Sequence, residues 1–207
     1  KTVSLILTSN YRFYGSINSD LLEFFTSSIQ KFATDVIVLG KAAIDYFKAK
    51  KILTNWQEVL LKTDQPEPGE LTALVNMLKD YNQVLVFYSS MKSLLVQVPT
   101  LADITASSLV TTQVGKSENF RFIFEPDLPK ILEFFDSQIT TLLLEGIFLE
   151  SELSRTASRF ISMDNAETEA NKFIKEYQKL RSFAKRNMDN NTILENFATL
   201  VAVKGAQ

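Results

Sequence analysis

Two amino acids are missing from this chain of 207 residues, which contains neither cysteine nor histidine. Without cysteine the protein cannot form a disulfide or use a thiol nucleophile, and without both residues it cannot build a zinc site of the Cys/His type. The lack of histidine also excludes the Ser-His and Cys-His arrangements of nucleophilic catalysis. The sequence therefore predicts no catalytic residue, no metal site and no bound cofactor.

Long apolar runs and a large excess of one charge are also lacking. No run approaches the roughly 20 apolar residues of a membrane-spanning helix, and no signal-peptide pattern opens the chain. Lysine and arginine number 22 against 24 aspartates and glutamates, and the net charge of −2 argues against a general nucleic-acid binder. The absence of cysteine fits an intracellular protein, and the charge balance predicts one that does not bind nucleic acid.

The first 126 residues alternate short apolar runs with amphipathic stretches. The apolar runs predict strands at residues 2–7, 35–39, 52–53, 84–88, 94–98 and 120–124. Helical spacing predicts a first helix capped by Asn18 or Ser19, and further helices at residues 42–50 and 70–80. Residues 89–93 suit a hairpin turn, and the Ser/Thr-rich residues 102–119 suit a loop. This alternation predicts a Rossmann-like α/β domain over residues 1–126.

Helix-breaking residues are scarce in the last third of the chain. Residues 130–204 contain no proline, and Gly146 is their only glycine. Asp127 suits the N-cap position and Pro129 is tolerated in a first turn, so we predict a helical stalk over residues 127–207. An uninterrupted helix of this length would span on the order of 100 Å, whereas a sheet of short strands covers only about 20–25 Å. Most of the helix must therefore be covered by something else.

Small and apolar side chains recur every three or four residues along this helix, as in the seam of a coiled coil. This seam consists of Leu142, Gly146, Leu149, Leu153, Ala157, Phe160, Met163, Ala166, Ala170, Phe173, Tyr177, Leu180 and Ala184. Its first turns can pack on the α/β domain, but the remainder requires a partner helix or an enclosing complex. The C-terminal helix is thus predicted to form half of a coiled-coil stalk.

Four stretches, in the same order along the chain, resemble the gamma subunit of F-type ATP synthases, the central rotor stalk. Residues 8–19, TSNYRFYGSINS, resemble the TSDRGLCGGFNS motif of that family, and residues 40–48, GKAAIDYFK, are similar to its GRKGRDFFKRR segment. Residues 124–126, FEP, match its FEP sequence ahead of a helix, and residues 144–166 follow its LLES…E…AARMVAMKNAT…NA pattern. The resemblance covers essentially the whole chain.

The departures from the family pattern are also informative. Gamma subunits begin with a long helix that pairs antiparallel with the C-terminal helix, and no such helix precedes Thr2 here. The resemblance identifies that helix as the partner that the seam requires. Residues 189–192, DNNT, fall on the family's ITxE ahead of an I-x-E triplet at residues 193–195, and Tyr11 and Arg12 replace an expected basic residue and glycine. A divergent or specialised member is indicated.

The resemblance implies a non-catalytic rotor that couples rotation to ATP synthesis or hydrolysis, and hence to proton transport. The implied partners are alpha and beta ATPase subunits, an epsilon/delta-type stalk subunit and a membrane rotor ring. The implied place is the surface of an energy-transducing membrane, either the cytoplasmic side of a bacterial plasma membrane or the mitochondrial inner membrane. Two alternatives stay open, namely a rotor-like subunit of a specialised F-type-like ATPase that drives another machine, and a free-standing nucleotide-binding α/β protein.

A group of basic residues lies on the distal part of the predicted helix. Its members are Lys172, Lys175, Lys179, Arg181, Lys185 and Arg186, opposed only by Glu176. The resemblance implies that this basic group, with Glu195 of the I-x-E triplet, contacts the alpha and beta ring. A hydrated flank of a coiled coil is the other interpretation, and both stay open.

Three further residues are predicted to form structural turns, Gly15, Asn18 and Gly40. Gly15 alone lacks the GxGxxG and GxxxxGK[ST] spacings of phosphate-binding loops. The carboxylate pairs Glu150 with Glu152 and Glu167 with Glu169 lie two residues apart and do not share a helix face. We therefore expect these carboxylates to be solvated surface groups.

Overall fold

The computed structural model describes residues 1–29, 34–52, 55–105 and 127–204. These residues form a five-stranded sheet with the order β3-β2-β1-β4-β5, in which β5 alone is antiparallel to its neighbour. The strands are β1 (Thr2–Leu7), β2 (Asp35–Leu39), β3 (Gln57–Val59), β4 (Gln83–Met91) and β5 (Gln97–Asp103). The helices are α1 (Ile17–Ile29), α2 (Lys41–Lys50), α3 (Pro68–Leu78) and α4 (Leu128–Lys204).

The chain divides into two compact units, which we call the sheet unit (Lys1–Ser162) and the distal unit (Met163–Gln207). The sheet unit contains all five strands, α1 to α3 and the part of α4 up to Ser162. The distal unit contains the rest of α4. None of the helices within the described ranges is long and apolar enough to cross a membrane.

Both faces of the sheet are buried, which explains why the central strands are mostly apolar rather than alternating. One face packs against α1 and α2, with Ile6, Val38 and Phe87 from the strands meeting Leu21, Phe25, Ala43, Ile44 and Phe47. The other face packs against α3 and α4, with Leu5, Ile37 and Val86 meeting Leu71, Leu74, Leu78, Leu144, Ile147 and Phe148. The sheet unit is therefore a three-layer α/β/α sandwich.

The strand order places a topological switch between β1 and β4. The chain steps outward from β1 through α1 to β2 and through α2 to β3, then returns through α3 to β4 on the other side of β1. Right-handed crossovers require helices of opposite steps to lie on opposite faces. That rule accounts for α1 and α2 on one face and α3 on the other.

The predicted fold class is confirmed, since the sheet unit is a Rossmann-like α/β structure and α4 is a long C-terminal helix. The predicted strand at residues 52–53 is wrong, because Ile52 lies outside any strand and the third strand is Gln57–Val59. Ile52 follows Lys51, whose left-handed φ of 49° ends α2. The predicted strand at residues 120–124, the residues Phe124-Glu125-Pro126 and Leu53 lie outside the described residues.

The predicted hairpin is shifted along the chain. β4 continues to Met91 and pairs it with Gln97, so the apolar residues Leu94, Leu95 and Val96 lie in the turn and are exposed. The backbone amide of Lys92 donates to the carbonyl of Val96, 3.1 Å away, and closes this turn. Apolar character alone predicted a strand where the chain instead presents a hydrophobic tip to solvent.

Two predicted helix starts are also corrected. Asn18 does not cap α1, which begins at Ile17; its side-chain amide instead donates to the Ser9 hydroxyl at 2.7 Å. α3 begins at Pro68, earlier than predicted, because proline suits the first helical position and the backbone amide of Glu67 donates to the Glu70 carboxylate at 2.9 Å. α4 begins directly after Asp127 and continues without a break to Lys204, as its lack of helix breakers predicts.

Replacing Gly40 by alanine tests the turn that joins β2 to α2. Gly40 has a φ of +93°, and a Cβ here would lie 2.3 Å from the backbone oxygen of Thr8. Strain and clash together should lower the free energy of unfolding by roughly 2 kcal/mol or more, measured by urea denaturation.

Gly69→Ala is the matched control, since a Cβ there meets nothing within 4 Å and Gly69 lies in α3. That variant should gain up to about 1 kcal/mol from helix propensity. Equal stabilities of the two variants would contradict the assignment of Gly40 to an obligatory close approach.

Candidate functional site

α4 buries one stripe of side chains against the sheet unit, and the chemistry of this stripe changes along the helix. Leu144, Ile147 and Phe148 pack on the sheet face beside α3. The following positions of the same stripe are polar, and all four are buried: Ser151, Ser154, Arg155 and Ser158. This polar half of the stripe lies where β1 ends, because its side chains contact Thr8 and the residues after it.

Arg155 is the central residue of the polar half. Its guanidinium donates to the backbone oxygen of Thr8 at 3.2 Å and to that of Asp64 at 3.3 Å. The side chain is only 2% exposed, and its Nε atom has no hydrogen-bond partner. Burial lowers the pKa of the guanidinium, opposed by the negative charge of Asp64. Arginine nevertheless stays protonated in proteins, so α4 inserts a positive charge against two carbonyl oxygens.

The Asp64 carboxylate is held by two donors from the loop after β1. The backbone amide of Asn10 donates to Oδ1 at 2.6 Å, and the Tyr14 hydroxyl donates to Oδ2 at 2.7 Å. Burial, followed by the hydrogen bond to Asp64, raises the pKa of Tyr14 to about 12. Arg159 of α4 lies over the Tyr14 ring at 4.5 Å and also donates to its hydroxyl. Residues of the 8–14 segment, the 61–65 loop and α4 are thus connected in one network.

Gly15 lets α4 pass close to the loop after β1. It has a φ of +59°, and a Cβ at this position would lie 3.0 Å from the Ser162 hydroxyl and 3.2 Å from the Ser158 hydroxyl. Ser158 donates to the backbone oxygen of Tyr14 at 2.7 Å. We call Tyr14, Asp64, Arg155, Ser158 and Arg159 together the junction.

Two glutamates of α4 extend these contacts to the end of β4 and to the loop that contains Gln65. Glu150 accepts hydrogen bonds from the hydroxyls of Tyr88, at 3.0 Å, and of Ser90, and Glu152 accepts one from the Gln65 amide. The prediction that Glu150 and Glu152 are solvated surface groups is therefore wrong, because side chains of β4 and of the loop at Gln65, distant in sequence, donate hydrogen bonds to them. Glu167 and Glu169 are exposed, and Glu169 pairs with Lys172 at 2.6 Å.

Open α/β sheets bind ligands beyond the carboxyl ends of their strands, at the topological switch point. Here the α4 side chains Glu150, Arg155 and Ser158 occupy that position. A cavity that Ser158 lines at this edge has a volume of about 240 Å³, below the roughly 300–1,000 Å³ of small-molecule pockets. Asp20 lines it at the start of α1 and accepts a hydrogen bond from Ser16 at 2.9 Å. A carboxylate at this position disfavours a phosphate group.

The distal unit has no core of its own among its described residues. The predicted contact residues Lys172, Lys175, Lys179, Arg181, Lys185, Arg186 and Glu195 are all exposed. The structure brings Lys172 to Glu169 and the Arg186 Nε to the backbone oxygen of Ser182 at 3.4 Å, and no contact joins one member of the basic group to another. The apolar side chains Phe173, Tyr177, Leu180 and Phe183 are each more than half exposed.

α4 also carries a second apolar face within the sheet unit. The seam residues Leu142, Leu149, Leu153 and Phe160 are 53–63% exposed, whereas Ala157 is buried. The buried stripe and most of the seam therefore lie on different sides of the same helix. The seam predicted from the sequence is real as a periodicity, but in this part of α4 the sheet is covered mainly by other residues.

One pattern in the sequence indicates that α4 makes a buried polar contact at the junction. Ser151, Ser154, Arg155 and Ser158 continue the spacing of Leu144, Ile147 and Phe148, which marks one helix face, although none of them is apolar. Polar residues that continue an apolar stripe indicate a buried polar contact.

Comparison with known proteins gives one consistent family. A family model described as ATP synthase matches residues 1–186. The ATP synthase gamma chain of Staphylococcus saprophyticus is 25% identical over 185 residues, and the match covers 84% of this chain and 64% of that one. The gamma chain of Staphylococcus haemolyticus is 26% identical over 183 residues, covering 82% of this chain and 62% of that one. The chain thus spans less than two thirds of the length of these relatives.

Solved structures share the fold. A chain in the cryo-EM structure of the Euglena gracilis mitochondrial ATP synthase with OSCP, F1 and c-ring matches with a TM-score of 0.72 at 15% identity, covering 98% of this chain and 72% of that one. A chain in the central stalk and c-ring of the Tetrahymena thermophila mitochondrial ATP synthase matches with a TM-score of 0.64 at 16% identity, covering 81% and 76%. At such identities the likeness establishes the fold alone.

An ultraviolet pH titration tests the tyrosine–carboxylate contacts of α4 with the sheet unit. The pKa values of Tyr14 and Tyr88 are both raised to about 12, mainly by burial and then by the hydrogen bonds to Asp64 and Glu150. An unfolded tyrosine has a pKa near 10, so between about pH 10 and 12 the native state binds more protons and the free energy of unfolding falls as the pH rises. Tyr14→Phe should remove one part of the phenolate absorbance that appears near pH 12, and Tyr88→Phe a second part. If both variants instead lose absorbance that appears near pH 10, these contacts are contradicted.

Proposed function

Because the chain belongs to the ATP synthase gamma chain family, we propose that it is a non-catalytic rotor subunit of the central stalk of an F-type ATP synthase or ATPase. In this role it couples rotation to ATP synthesis or hydrolysis in a ring of alpha and beta subunits. The observation that carries the proposal is the apolar seam of α4, most of whose side chains are exposed.

The seam needs a partner because helix stability in water comes mainly from packing an apolar face. Exposed apolar side chains recur along α4 from Leu142 to Val201. Contiguous apolar surface of this extent marks an interaction site rather than a solvated surface. We propose that the long N-terminal helix typical of gamma subunits covers the seam as an antiparallel coiled coil. The longer relatives provide room for such a helix.

A rotor requires no chemistry of its own. An asymmetric shaft that turns inside the ring favours a different conformation at each catalytic interface in turn, so that rotation and nucleotide turnover are coupled. The filled crevice at the carboxyl edge of the sheet supports this assignment over a free-standing nucleotide-binding protein, since α4 side chains occupy the place where a nucleotide would bind.

The proposed domain boundary lies between residues 126 and 127. The α/β domain would form the foot of the stalk, and the helix would form its shaft. The foot would contact the membrane rotor ring and an epsilon/delta-type stalk subunit, and the distal unit would lie within the alpha and beta ring. The complex would be peripheral to an energy-transducing membrane. A specialised F-type-like ATPase is the second candidate, supported by the residues DNNT in place of the family's ITxE at 189–192.

Isolation of the tagged protein from its native cell tests the proposal. We expect alpha-like and beta-like ATPase subunits to co-purify in amounts comparable to the tagged chain, together with proton-channel subunits. Recovery of alpha-like and beta-like subunits without proton-channel subunits would favour the specialised ATPase. Failure to recover any ATPase subunit under conditions that preserve known complexes would overturn the rotor assignment.

Charge reversal tests the basic group. In Lys175→Glu/Lys179→Glu, association with the alpha and beta ring should become slower and less dependent on salt, because surface charges act mainly on the association rate. Each exposed ion pair is worth only about 0.2–1 kcal/mol, so the affinity should fall by roughly 2- to 30-fold in total. The rate is measured by surface binding at several salt concentrations.

Lys92→Glu/Lys130→Glu provides the control, since it makes the same change of net charge at exposed positions of the sheet unit. This control should bind as the unchanged protein does. If both double variants slow association equally, the effect comes from net charge and the basic group is a hydrated flank.

A further inference from the structure

We propose that Arg155 is a positioning residue that fixes the rotational setting of α4 on the sheet, so that the globular part of the protein and its long helix turn together. The inference rests on the proposed rotor function, because only a rotor has to transmit torque between these two parts. It adds to that proposal that the buried Arg155 guanidinium and the rest of the junction couple the sheet to α4.

The contacts of Arg155 are directional and join separate segments. Its two hydrogen bonds reach the backbone oxygens of Thr8 and Asp64, which lie 56 residues apart in sequence. A guanidinium presents its donors in a rigid planar fork, so both bonds form only in a narrow range of orientations. One residue of an α-helix corresponds to about 100° of rotation, so a shift of α4 by one residue would break both bonds.

Apolar packing alone specifies the rotation of α4 weakly. The helix has a buried apolar stripe at Leu144, Ile147 and Phe148, and a second, exposed apolar face that includes Leu149 and Leu153. If α4 rotated so that its second apolar face lay against the sheet, apolar side chains would still cover the sheet. Arg155 changes this balance, because a buried charge that loses its hydrogen-bond acceptors is strongly unfavourable.

The unsatisfied atoms of this region point to specificity rather than to stability. Arg155 Nε and the Ser154 hydroxyl are both buried without a partner, and Arg155 is the only buried cation among the described residues. A leucine or methionine at position 155 could fill the same space without these costs. Buried charged groups often add little stability, and the best-attested reason to keep one is to select a single register.

The rest of the junction supports the acceptors of Arg155. Asp64 is held by the Asn10 amide and the Tyr14 hydroxyl, and Tyr14 is held in turn by Ser158 and Arg159 of α4. A rotation of α4 would therefore disturb the contacts of three α4 side chains together. When torque acts on α4, these directional hydrogen bonds resist rotation of the helix against the sheet. Apolar contacts would not resist it in this way, because one apolar side chain can take the place of another.

The test measures coupling in the assembled complex. Arg155→Met is introduced into the full-length chain, the complex is reconstituted in sealed vesicles with its alpha, beta and rotor-ring subunits, and ATP hydrolysis and ATP-driven proton pumping are measured in parallel. We expect hydrolysis to persist while pumping per ATP hydrolysed falls by about twofold or more, since two hydrogen bonds of a charged group are lost. Lys130→Met, an exposed α4 lysine, should keep the ratio unchanged.

A second readout separates positioning from simple stabilisation. Amide exchange at residues 144–158 should become about tenfold faster in Arg155→Met, while strands β1 and β4 keep their protection, because α4 loosens on an intact sheet. Arg155→Lys retains the charge without the fork and should give an intermediate ratio. If Arg155→Met does not assemble, Ser158→Ala should lower the ratio to a smaller extent in the same direction.

An unchanged ratio of pumping to hydrolysis in both Arg155→Met and Ser158→Ala would overturn the inference. It would also be overturned if hydrolysis, pumping and thermal stability declined together, since that result indicates a structural residue only. Failure of the rotor proposal is visible separately, because the unchanged chain would then not assemble with alpha and beta subunits at all. In that case amide exchange of the chain alone still decides whether Arg155 sets the position of α4.

Discussion

A helix of 77 residues cannot be covered by a five-stranded sheet whose longest strand has nine residues. This mismatch in length determines how much of α4 the sheet can cover. It leaves most of the seam of α4 exposed and the distal unit without a core among its described residues, which supports the proposed partner helix. Only a short stretch of the helix contacts the sheet, so this stretch must be held firmly. It is held by a buried stripe of side chains that is apolar at Leu144, Ile147 and Phe148 and polar from Ser151 to Ser158.

The polar part of that stripe lies at the carboxyl ends of the strands, where other α/β proteins bind ligands. Carboxyl ends of parallel strands, with their free backbone groups and nearby helix N-termini, suit the binding of small polar molecules. Here the Arg155 guanidinium binds the carbonyls of Thr8 and Asp64, and Gly15 allows α4 to approach. At this edge the sheet holds a helix, in agreement with the rule that function depends on the site and not on the fold.

Much of the fold was predictable from the sequence. β1, β2 and β4 are buried on both faces and read as mostly apolar runs, and α4 has no proline and a single glycine between residues 130 and 204. β3 was missed because an edge strand of three residues, QEV, needs no apolar run. The junction was missed because a serine or arginine in a helix normally faces solvent. Its burial depends on Tyr14 and Asp64, which lie 50 residues apart and meet only in the folded chain.

The proposed rotation of this chain as a shaft can be observed directly. Since the sequence contains no cysteine, a single cysteine introduced at the exposed residue Asn76 of α3 gives one site for a probe. With the alpha and beta ring fixed to a surface, we expect the probe to rotate in one direction and in discrete steps when ATP is added. A probe that stays fixed relative to the ring while the complex hydrolyses ATP would contradict the rotor proposal.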